Sequence, residues 1–283
     1  MAINGKHCQT MDFKALITAG LQLSQAQQLI EKLYTDRPNI QPEESQEILV
    51  NVLTHNISPA IAKSYRLWRE VYRKKVCISI LLMGVTGVGK TEIALKLDER
   101  LASALCVPVD LFRSILRNYL SPSAYPTLYS SSYLAWKALK SKNNDRDSVV
   151  RAYKEQCAAV NKALDATIGW SKAIGKVLIL EGVNISPAYV ASLLQRNEPN
   201  IFPFLITVET KDTHLTLLQL RHQMHPKPPV SFETYKKCYI EITYIQDFLL
   251  QEALKFSMPI LTNGNTKLIV DKILKHIEDR VCL

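Results

Sequence analysis

The sequence predicts an α/β protein in which a parallel sheet is flanked by helices and follows a small helical region. Two observations support this fold class. From residue 76 onward, short continuous apolar runs alternate with long helix-like stretches, whereas residues 1–72 contain amphipathic helical patterns. Apolar runs without polar alternation are typical of strands that a parallel sheet buries on both faces. We therefore predict a helical N-terminal region, 1–72, and an α/β domain, 73–283.

Three helices are predicted in the N-terminal region. Ser24 and Gln27 have the spacing of a capping box at the start of the first. Pro42, followed by two glutamates, begins the second, because proline suits the first helical position and acids suit the positive end. The third begins at Ser58 and ends in a basic cluster, 69–75.

Five apolar runs predict the strands of the α/β domain. Ligands of open parallel sheets bind outside the carboxyl ends of the strands, so we expect the chemistry at the loops that follow these runs. The predicted strands are 76–83, 105–109, 177–180, 204–208 and 259–261.

The length and charge of the chain limit its class. It has 283 residues, of which 47% are hydrophobic, and a net charge of +9. The charge favours anionic partners such as nucleotide phosphates, phosphorylated metabolites, nucleic acid or an acidic membrane face. The first residues lack the apolar stretch of a signal peptide, and the longest apolar run, 76–85, is about half a membrane span. These features predict a soluble, cytoplasmic protein.

The six cysteines show no close pair and no C-x-x-C pattern. Cys77 and Cys106 fall in apolar runs, which predicts reduced, buried thiols and disfavours a disulfide framework or a zinc site. Reduced thiols in turn indicate a reducing compartment.

The first predicted strand runs directly into Gly-Val-Thr-Gly-Val-Gly-Lys-Thr at 84–91, and a helical pattern follows. This segment fits G-x-x-x-x-G-K-[ST], in which backbone N–H groups and a helix N-terminus surround phosphates. Lys90 is expected to reach the β- and γ-phosphates, and Thr91 to hold Mg²⁺. The sequence therefore predicts a P-loop for ATP and Mg²⁺ rather than an ordinary strand–helix turn. Its predicted nucleotide-binding residues are Gly84, Thr86, Gly87, Val88, Gly89, Lys90 and Thr91.

Charged residues follow the next two predicted strands. Asp110 ends the second strand, and Arg113 and Arg117 follow at a spacing that places them on one helix face. A carboxylate beside two cations suits the hydroxyl and the acidic groups of a phosphorylated substrate, while the alternative is a helix N-cap with two surface arginines. Glu181 ends the third strand, where it is expected to hold Mg²⁺ or position a ligand; the alternative is a solvated acid.

Residues 211–240 are predicted to form a lid over the phosphates. A polar helical stretch is followed by a proline-rich segment, 225–229, and by a second helical stretch, a layout that suits closure and exclusion of water. Arg221 is the candidate for the cation that stabilises the transition state. His222 and His225 have a spacing that metal ligands use, but the sequence offers no third ligand.

With these motifs established, the chain resembles the archaeal-type 2-phosphoglycerate kinases over nearly its whole length. The resemblance begins with Tyr65-Arg-Leu-Trp-Arg69 and with Val109-Asp-Leu-Phe-Arg113, and it continues in the same order to the C-terminal stretches. It implies an ATP-cone-like N-terminal region joined to a kinase-type P-loop NTPase domain. The similar stretches are 62–73, 108–117, 128–136, 179–184, 245–248 and 259–263.

The resemblance also implies ATP-dependent phosphorylation of 2-phosphoglycerate to 2,3-bisphosphoglycerate. The residues that it implies are Asp110 and Arg113 for the acceptor, Ser131 and Tyr133 for its pocket, Arg221 for the lid, and Asn263 for the nucleotide. Arg117 and Glu181, from their positions after the strands, are further candidates for contact with the substrate. Catalysis would depend on Lys90, Asp110, Arg113 and Arg221.

Two alternatives remain open at this point. The family carries histidine where this chain has Tyr129 and Asn184, and arginine where it has Leu217 and Thr243, which supports a nucleotide-binding regulatory protein with weak or lost transfer. The net charge and the basic cluster 69–75 support nucleic-acid binding, although no nucleic-acid-binding fold is recognisable. We expect a small anionic substrate and neither nucleic acid nor membrane, and the sequence leaves the oligomeric state open.

Overall fold

A computed structural model of the protein describes residues 5–102, 104–139, 144–196, 198–224 and 230–283. Two short 3₁₀ helices, Pro126–Tyr129 and Ser132–Ala138, lie near the middle of the chain. The other elements, in chain order, are α1 (Gly5–Thr18), α2 (Leu23–Asp36), α3 (Pro42–Asn56), α4 (Pro59–Arg73), β1 (Ser79–Met83), α5 (Lys90–Leu101), β2 (Leu105–Pro108), α6 (Asp110–Leu116), α7 (Arg146–Ala173), β3 (Leu178–Gly182), α8 (Pro187–Gln195), β4 (Ile201–Thr207), α9 (Lys211–Met224), α10 (Phe232–Lys237), α11 (Tyr239–Lys255), β5 (Ile260–Thr262) and α12 (Thr266–Glu278).

The N-terminal region forms four helices, one more than the sequence predicts. As predicted, α3 begins at Pro42, and the hydroxyl of Ser58 caps α4 by accepting a hydrogen bond from a backbone N–H of the first turn. The additional helix is α1. It buries the carboxylate of Asp12, and a charged residue on the buried face obscures the helical periodicity.

The predicted capping box of α2 is wrong. Only four residues separate α1 from α2, so the helix begins at Leu23 and already contains Ser24 and Gln27. The N-cap of α2 is Gln22 instead. Its backbone N–H donates a hydrogen bond to the side-chain oxygen of Gln25, in the first turn of the helix, at 3.4 Å.

A buried ion pair lies at the centre of the N-terminal helices. Nε of Arg69 lies 2.6 Å from Oδ1 of Asp12, and neither side chain is more than 2% exposed. Burying two charges is unfavourable unless the remaining polar atoms find partners. Here the carboxylate also accepts hydrogen bonds from Tyr65, Tyr34 and Ser45 at 2.8 to 2.9 Å. Both oxygens of the Asp12 carboxylate therefore accept hydrogen bonds.

Two arginines of the basic cluster 69–75 form ion pairs with carboxylates of the protein. Arg69 is buried in the ion pair, and Arg73 lies 2.6 Å from a carboxylate oxygen of Glu70. These two arginines are thus engaged by carboxylates of the protein itself.

The N-terminal helices contact the far end of the P-loop helix, α5. Thr18 donates a hydrogen bond to the carbonyl of Arg100 at 2.8 Å, and Tyr72 donates to that of Leu101 at 2.9 Å. These are C-terminal carbonyls of α5, which have no partner within the helix. Trp68 donates to a glutamate of α12 at 2.9 Å. The predicted division at residues 72 and 73 stays a prediction; α4 ends beside it.

The described strands form one parallel sheet in the order β2-β3-β1-β4-β5. β1 lies at the centre, between β3 and β4. The connection that follows β1 leads toward β2, whereas the one that follows β3 leads toward β4. The carboxyl ends of β1 and β3 therefore form a topological switch point, where open α/β sheets bind ligands.

Helices cover both faces of the sheet. Right-handed crossovers place α5 on one face and α7, α8 and α11 on the other. The contacts agree, since α5 packs against α12, and α11 packs against α7 and α8. The predicted fold class, a kinase-type parallel sheet flanked by helices, is confirmed.

The strand boundaries differ slightly from those predicted. β1 begins at Ser79 rather than at residue 76, because the backbone N–H of Val76 closes the last turn of α4 by donating to Val71 at 2.9 Å. β3 includes Glu181 and Gly182, which the sequence placed after the strand.

The cysteines are all free, as predicted, but their burial is not as predicted. Cys77 and Cys106 are only half-buried, whereas Cys8 and Cys157 are buried. Cys106 lies on β2, at the edge of the sheet, and Cys77 precedes β1, so each has a side open to solvent.

Within the described part of the chain, no helix combines the length and the apolar composition that crossing a bilayer requires.

Replacing Arg69 by methionine is expected to lower the free energy of unfolding by about 3 to 5 kcal/mol, because the carboxylate of Asp12 stays buried without its counter-ion. Urea unfolding measures this. The matched control is Arg37→Met, since Arg37 pairs with Glu44 at the surface with both side chains more than half exposed, and such pairs contribute at most about 1 kcal/mol. Equal losses in the two variants would contradict the assigned role of the buried pair.

Candidate active site

The P-loop has the backbone that a phosphate-binding loop requires. Gly87 and Gly89 have φ angles of 83° and 85°, in the left-handed region that favours glycine. A Cβ at Gly89 would lie 2.2 Å from the amide nitrogen of Asn263. That amide donates a hydrogen bond to the carbonyl of Val88 at 2.9 Å. The predicted nucleotide residue Asn263 thus contacts the P-loop backbone directly.

Helix α9 packs against the other side of the loop. A Cβ at Gly87 would lie 2.4 Å from the side chain of Leu218. His214, only 2% exposed, has Nε2 2.8 Å from the carbonyl oxygen of Thr86. A carbonyl can only accept, so Nε2 carries the proton and Nδ1 accepts from Tyr239, whose hydroxyl is 3.4 Å away.

His214 is a residue whose role the sequence analysis missed. Burial lowers its pKa, and the charge of Lys90 acts in the same direction, while the hydrogen bond to Thr86 opposes them. The neutral imidazole therefore supports the loop without adding charge. Its place near the start of the predicted lid, 211–240, was the one signal that the sequence offered.

Lys90 lies beneath the loop and is 7% exposed. Its ammonium group donates to the carbonyl of Val85 at 2.8 Å. Burial lowers the pKa of Lys90 to about 8; the carboxylate of Glu181 opposes this shift, and the charge of Arg221 adds to it.

Thr91 and Glu181 lie together at the switch point. Parallel pairing of β1 with β3 sets Leu82 beside Glu181. The hydroxyl of Thr91 donates to Oε1 of Glu181 at 3.0 Å, and Glu181 is 8% exposed. Hydroxyl and carboxylate oxygens are hard donors that suit Mg²⁺. This donor set therefore fits the predicted metal role.

A cleft of about 150 Å³ opens beside the P-loop. It brings together predicted residues that are far apart in the sequence, and these share its walls with serine and apolar side chains. The predicted residues that line it are Thr86, Asp110, Arg113, Ser131, Tyr133 and Arg221.

Asp110 and Arg113 form an ion pair in this cleft. Nη2 of Arg113 lies 3.0 Å from Oδ1 of Asp110, and Nη1 donates to the carbonyl of Ser130 at 2.7 Å. The Asp110 side chain is 58% exposed, that of Arg113 15%. The N-cap of α6 is Val109, so the alternative of Asp110 as a helix cap does not hold. Asp110 is therefore open to a ligand, and Arg113 is held in place by two partners.

Arg117 and Glu181 do not line the cleft, although both were predicted to contact the substrate. Nε of Arg117 donates to the carbonyl of Leu128 at 2.7 Å, and its guanidinium lies 5.8 Å from the centre of the Tyr129 ring. Arg117 thus holds the chain that leads to Ser131. Its predicted contact with the substrate stays a prediction.

The other polar groups of the cleft face it from two sides. Burial raises the pKa of Tyr133 to about 12, which keeps its hydroxyl protonated. From α9, Nη1 of Arg221 donates to the hydroxyl of Thr86 at 3.0 Å. Arg221 therefore lies directly between the cleft and the P-loop.

The structure describes only part of the predicted lid. α9, α10 and the start of α11 fall within it, whereas residues 225–229, with His225, lie outside the described residues. The described ranges contain no group of three or more His, Cys, Asp or Glu side chains that could hold a metal ion, so His222 belongs to no such group. Leu217 packs against the core, and Thr243 donates to the carbonyl of Tyr239 at 2.9 Å. The two positions where the family carries arginine thus have local contacts of their own.

The pKa of Lys90 makes a prediction for nucleotide binding. Below about pH 8 the ammonium is charged and meets phosphates directly; above it, the neutral amine must take up a proton to do so. We expect the affinity for ATP to fall by up to about tenfold per pH unit above this value. Calorimetry from about pH 7 to about pH 9.5 in two buffers of different ionisation enthalpy measures affinity and proton uptake. Lys90→Met, which cannot titrate, is the control, and a flat profile for the unmodified protein would contradict the prediction.

Comparison with known proteins tests the class of the protein. No family model matches the chain. The chain is 28% identical to the 2-phosphoglycerate kinase of Methanopyrus kandleri over 275 residues, which cover 95% of this chain and 82% of the relative. Identity to the 2-phosphoglycerate kinase of Methanocaldococcus jannaschii is 27% over 273 residues, or 95% and 86% of the two chains.

A further relative establishes the family. The 2-phosphoglycerate kinase of Pyrococcus horikoshii is 32% identical over 216 residues, which cover 76% of this chain and 69% of the relative. The predicted kinase class is confirmed. Because the similarity extends over most of both chains, the protein belongs to the archaeal-type 2-phosphoglycerate kinase family, as a P-loop kinase that transfers a phosphoryl group from ATP to an alcohol.

Proposed function

We propose that the protein phosphorylates the free hydroxyl of 2-phosphoglycerate, with ATP and Mg²⁺, to give 2,3-bisphosphoglycerate. One observation supports this most strongly: the cleft beside the P-loop combines Asp110, Arg113 and Arg221 with the hydroxyl groups of Ser131 and Tyr133. To bind an acceptor with a carboxylate, a phosphate and a hydroxyl, a site needs cations, hydrogen-bond donors and one carboxylate close together.

The location in the cytoplasm stays a prediction, as does the absence of a nucleic-acid partner.

The reaction moves one phosphoryl group between two oxygens. The acceptor oxygen forms a bond to the γ-phosphorus, and the bond from that phosphorus to the β–γ bridging oxygen breaks, which leaves ADP. Asp110, exposed at the cleft, would orient the acceptor hydroxyl and take its proton. Arg113 would hold an acidic group of the acceptor by charge-assisted hydrogen bonds.

The triphosphate would lie on the P-loop. Lys90 and Arg221 approach the loop from below and from α9, so they would neutralise charge on the transferred group. Thr91 and Glu181 would hold Mg²⁺, which would supply positive charge that neutralises phosphate oxygens. The hydrogen bond of 3.0 Å between these two side chains supports that assignment.

Transfer of labelled phosphate tests the substrate. With γ-labelled ATP and Mg²⁺, we expect label to appear in 2,3-bisphosphoglycerate, identified by chromatography, when 2-phosphoglycerate is the acceptor. Phosphoenolpyruvate, which lacks a hydroxyl, is the matched negative control, and glycerate tests the need for the phosphate. Labelling of glycerate at the same catalytic efficiency, or no labelling of 2-phosphoglycerate at high enzyme concentration, would overturn the proposed substrate.

Asp110→Asn is expected to lower kcat by about two to four orders of magnitude, since the amide cannot accept the hydroxyl proton. ATP affinity, measured by calorimetry, should stay within about twofold, because Asp110 does not contact the P-loop directly. Glu99→Gln is the control, as Glu99 is an exposed acid whose partner among the described residues is Lys96. Near-normal kcat in Asp110→Asn would show that the acceptor hydroxyl binds elsewhere.

A further inference from the structure

Gln156, on α7, is completely buried and uses both ends of its amide. Its Nε2 donates to the carbonyls of Thr127 and Ser130 at 2.7 and 3.0 Å. Its Oε1 accepts from the hydroxyl of Ser132 at 2.7 Å and from the amide of Asn184 at 2.9 Å. A single side chain thus engages four residues from two separate parts of the chain.

These four residues belong to two of the segments that form walls of the acceptor cleft. One wall is the serine segment, which we define as residues 127–133; the other is the turn after β3, residues 183–184. Ser131, Ser132, Tyr133 and Val183 line the cleft itself. Gln156 therefore joins the walls to each other and to α7 without lining the cleft.

A neighbouring residue of α7 strengthens the same connection. The hydroxyl of Tyr153, one turn before Gln156 on the same helix face, donates to the carbonyl of Val183 at 2.7 Å. Tyr153 is also fully buried. The turn after β3 is thus anchored to α7 at both of its residues.

Gln156 also shares a partner with Arg113. The carbonyl of Ser130 accepts one hydrogen bond from Gln156 and another from Arg113 at 2.7 Å. A carbonyl oxygen has two lone pairs, so both bonds can form together. If this carbonyl moves, Arg113 loses the contact that holds its guanidinium toward the cleft.

The serine segment accepts hydrogen bonds at its carbonyls from three side chains outside it, those of Gln156, Arg113 and Arg117. It contains most of one short 3₁₀ helix, two extended residues, Ser130 and Ser131, and the start of a second 3₁₀ helix. Arg117 donates to Leu128 and Arg113 to Ser130, whereas Gln156 donates to two carbonyls of the segment, those of Thr127 and Ser130. Buried carbonyls that lose their donor are strongly unfavourable, so the segment would rearrange if Gln156 were removed.

We propose that Gln156 is a positioning residue for the phosphoryl acceptor, which it serves by holding the serine segment and, through Ser130, Arg113 in the geometry that binds the acceptor. This inference rests on the proposed function of the cleft. Gln156 touches neither nucleotide nor acceptor, and its effect is confined to the acceptor side of the site.

Two variants separate the two ends of the amide. Gln156→Met has a similar size and makes none of the four hydrogen bonds. Gln156→Glu keeps acceptor oxygens for Ser132 and Asn184 but offers no donor to the carbonyls of Thr127 and Ser130. The control is Leu164→Ala, a destabilising change at a fully buried residue on the same helix, two turns further along and away from the cleft.

Steady-state kinetics and hydrogen exchange, both measured on the full chain, test the proposed role of Gln156. Both Gln156 variants are expected to lower kcat/KM for the acceptor by about 10- to 100-fold through a raised acceptor KM, while KM for ATP changes by less than about twofold. Backbone amides 127–133 should exchange faster in both variants with ATP bound, but not in Leu164→Ala.

Three results would overturn it: unchanged exchange in Gln156→Met, faster exchange with an unchanged acceptor KM, or equal rises in the two KM values. Failure of the proposed function has a different signature. If the unmodified protein transfers nothing to 2-phosphoglycerate, the substrate is wrong, whereas the exchange of amides 127–133 still decides whether Gln156 holds the segment.

Discussion

The parallel pairing of β1 with β3 is the constraint on which the site depends. It sets the end of the strand that leads into the P-loop beside Glu181, and it brings Thr91 within 3.0 Å of that carboxylate. The pairing of β2 with β3 then places Asp110 next to the same edge. Since neighbouring connections leave this edge in opposite directions, a crevice forms there. Phosphate binding and acceptor binding thus share one origin in the sheet.

Around this edge, three elements supply groups that the sheet itself lacks. α9 supports the loop through His214 and brings Arg221 to Thr86. The serine segment closes the opposite side of the cleft, and α7 holds that segment through Gln156. Each contact joins residues that are far apart in the sequence, so the acceptor side of the site is assembled by tertiary structure.

The N-terminal helices stabilise the nucleotide side from a distance. Thr18 and Tyr72 satisfy the last carbonyls of α5, whose first turn carries Lys90 and Thr91. The buried ion pair of Asp12 and Arg69 fixes the helices that supply these hydroxyls. The N-terminal region is therefore hydrogen-bonded directly to the C-terminal end of the P-loop helix.

The sequence by itself determined the fold class, the P-loop and the kinase class, because these depend on local features: glycines that permit left-handed backbone, a lysine at a defined offset, and apolar runs of strand length. It also identified six of the residues that line the cleft, including Asp110 and Arg113. Only the tertiary structure decided the parts played by His214, Gln156 and Arg117, and showed that Ser24 is no cap. His214, Gln156 and Arg117 all donate hydrogen bonds to backbone carbonyls. Many polar side chains can form such bonds, so no local sequence pattern identifies the residues that make them. The partner of such a residue is set by how the sheet and helices come together.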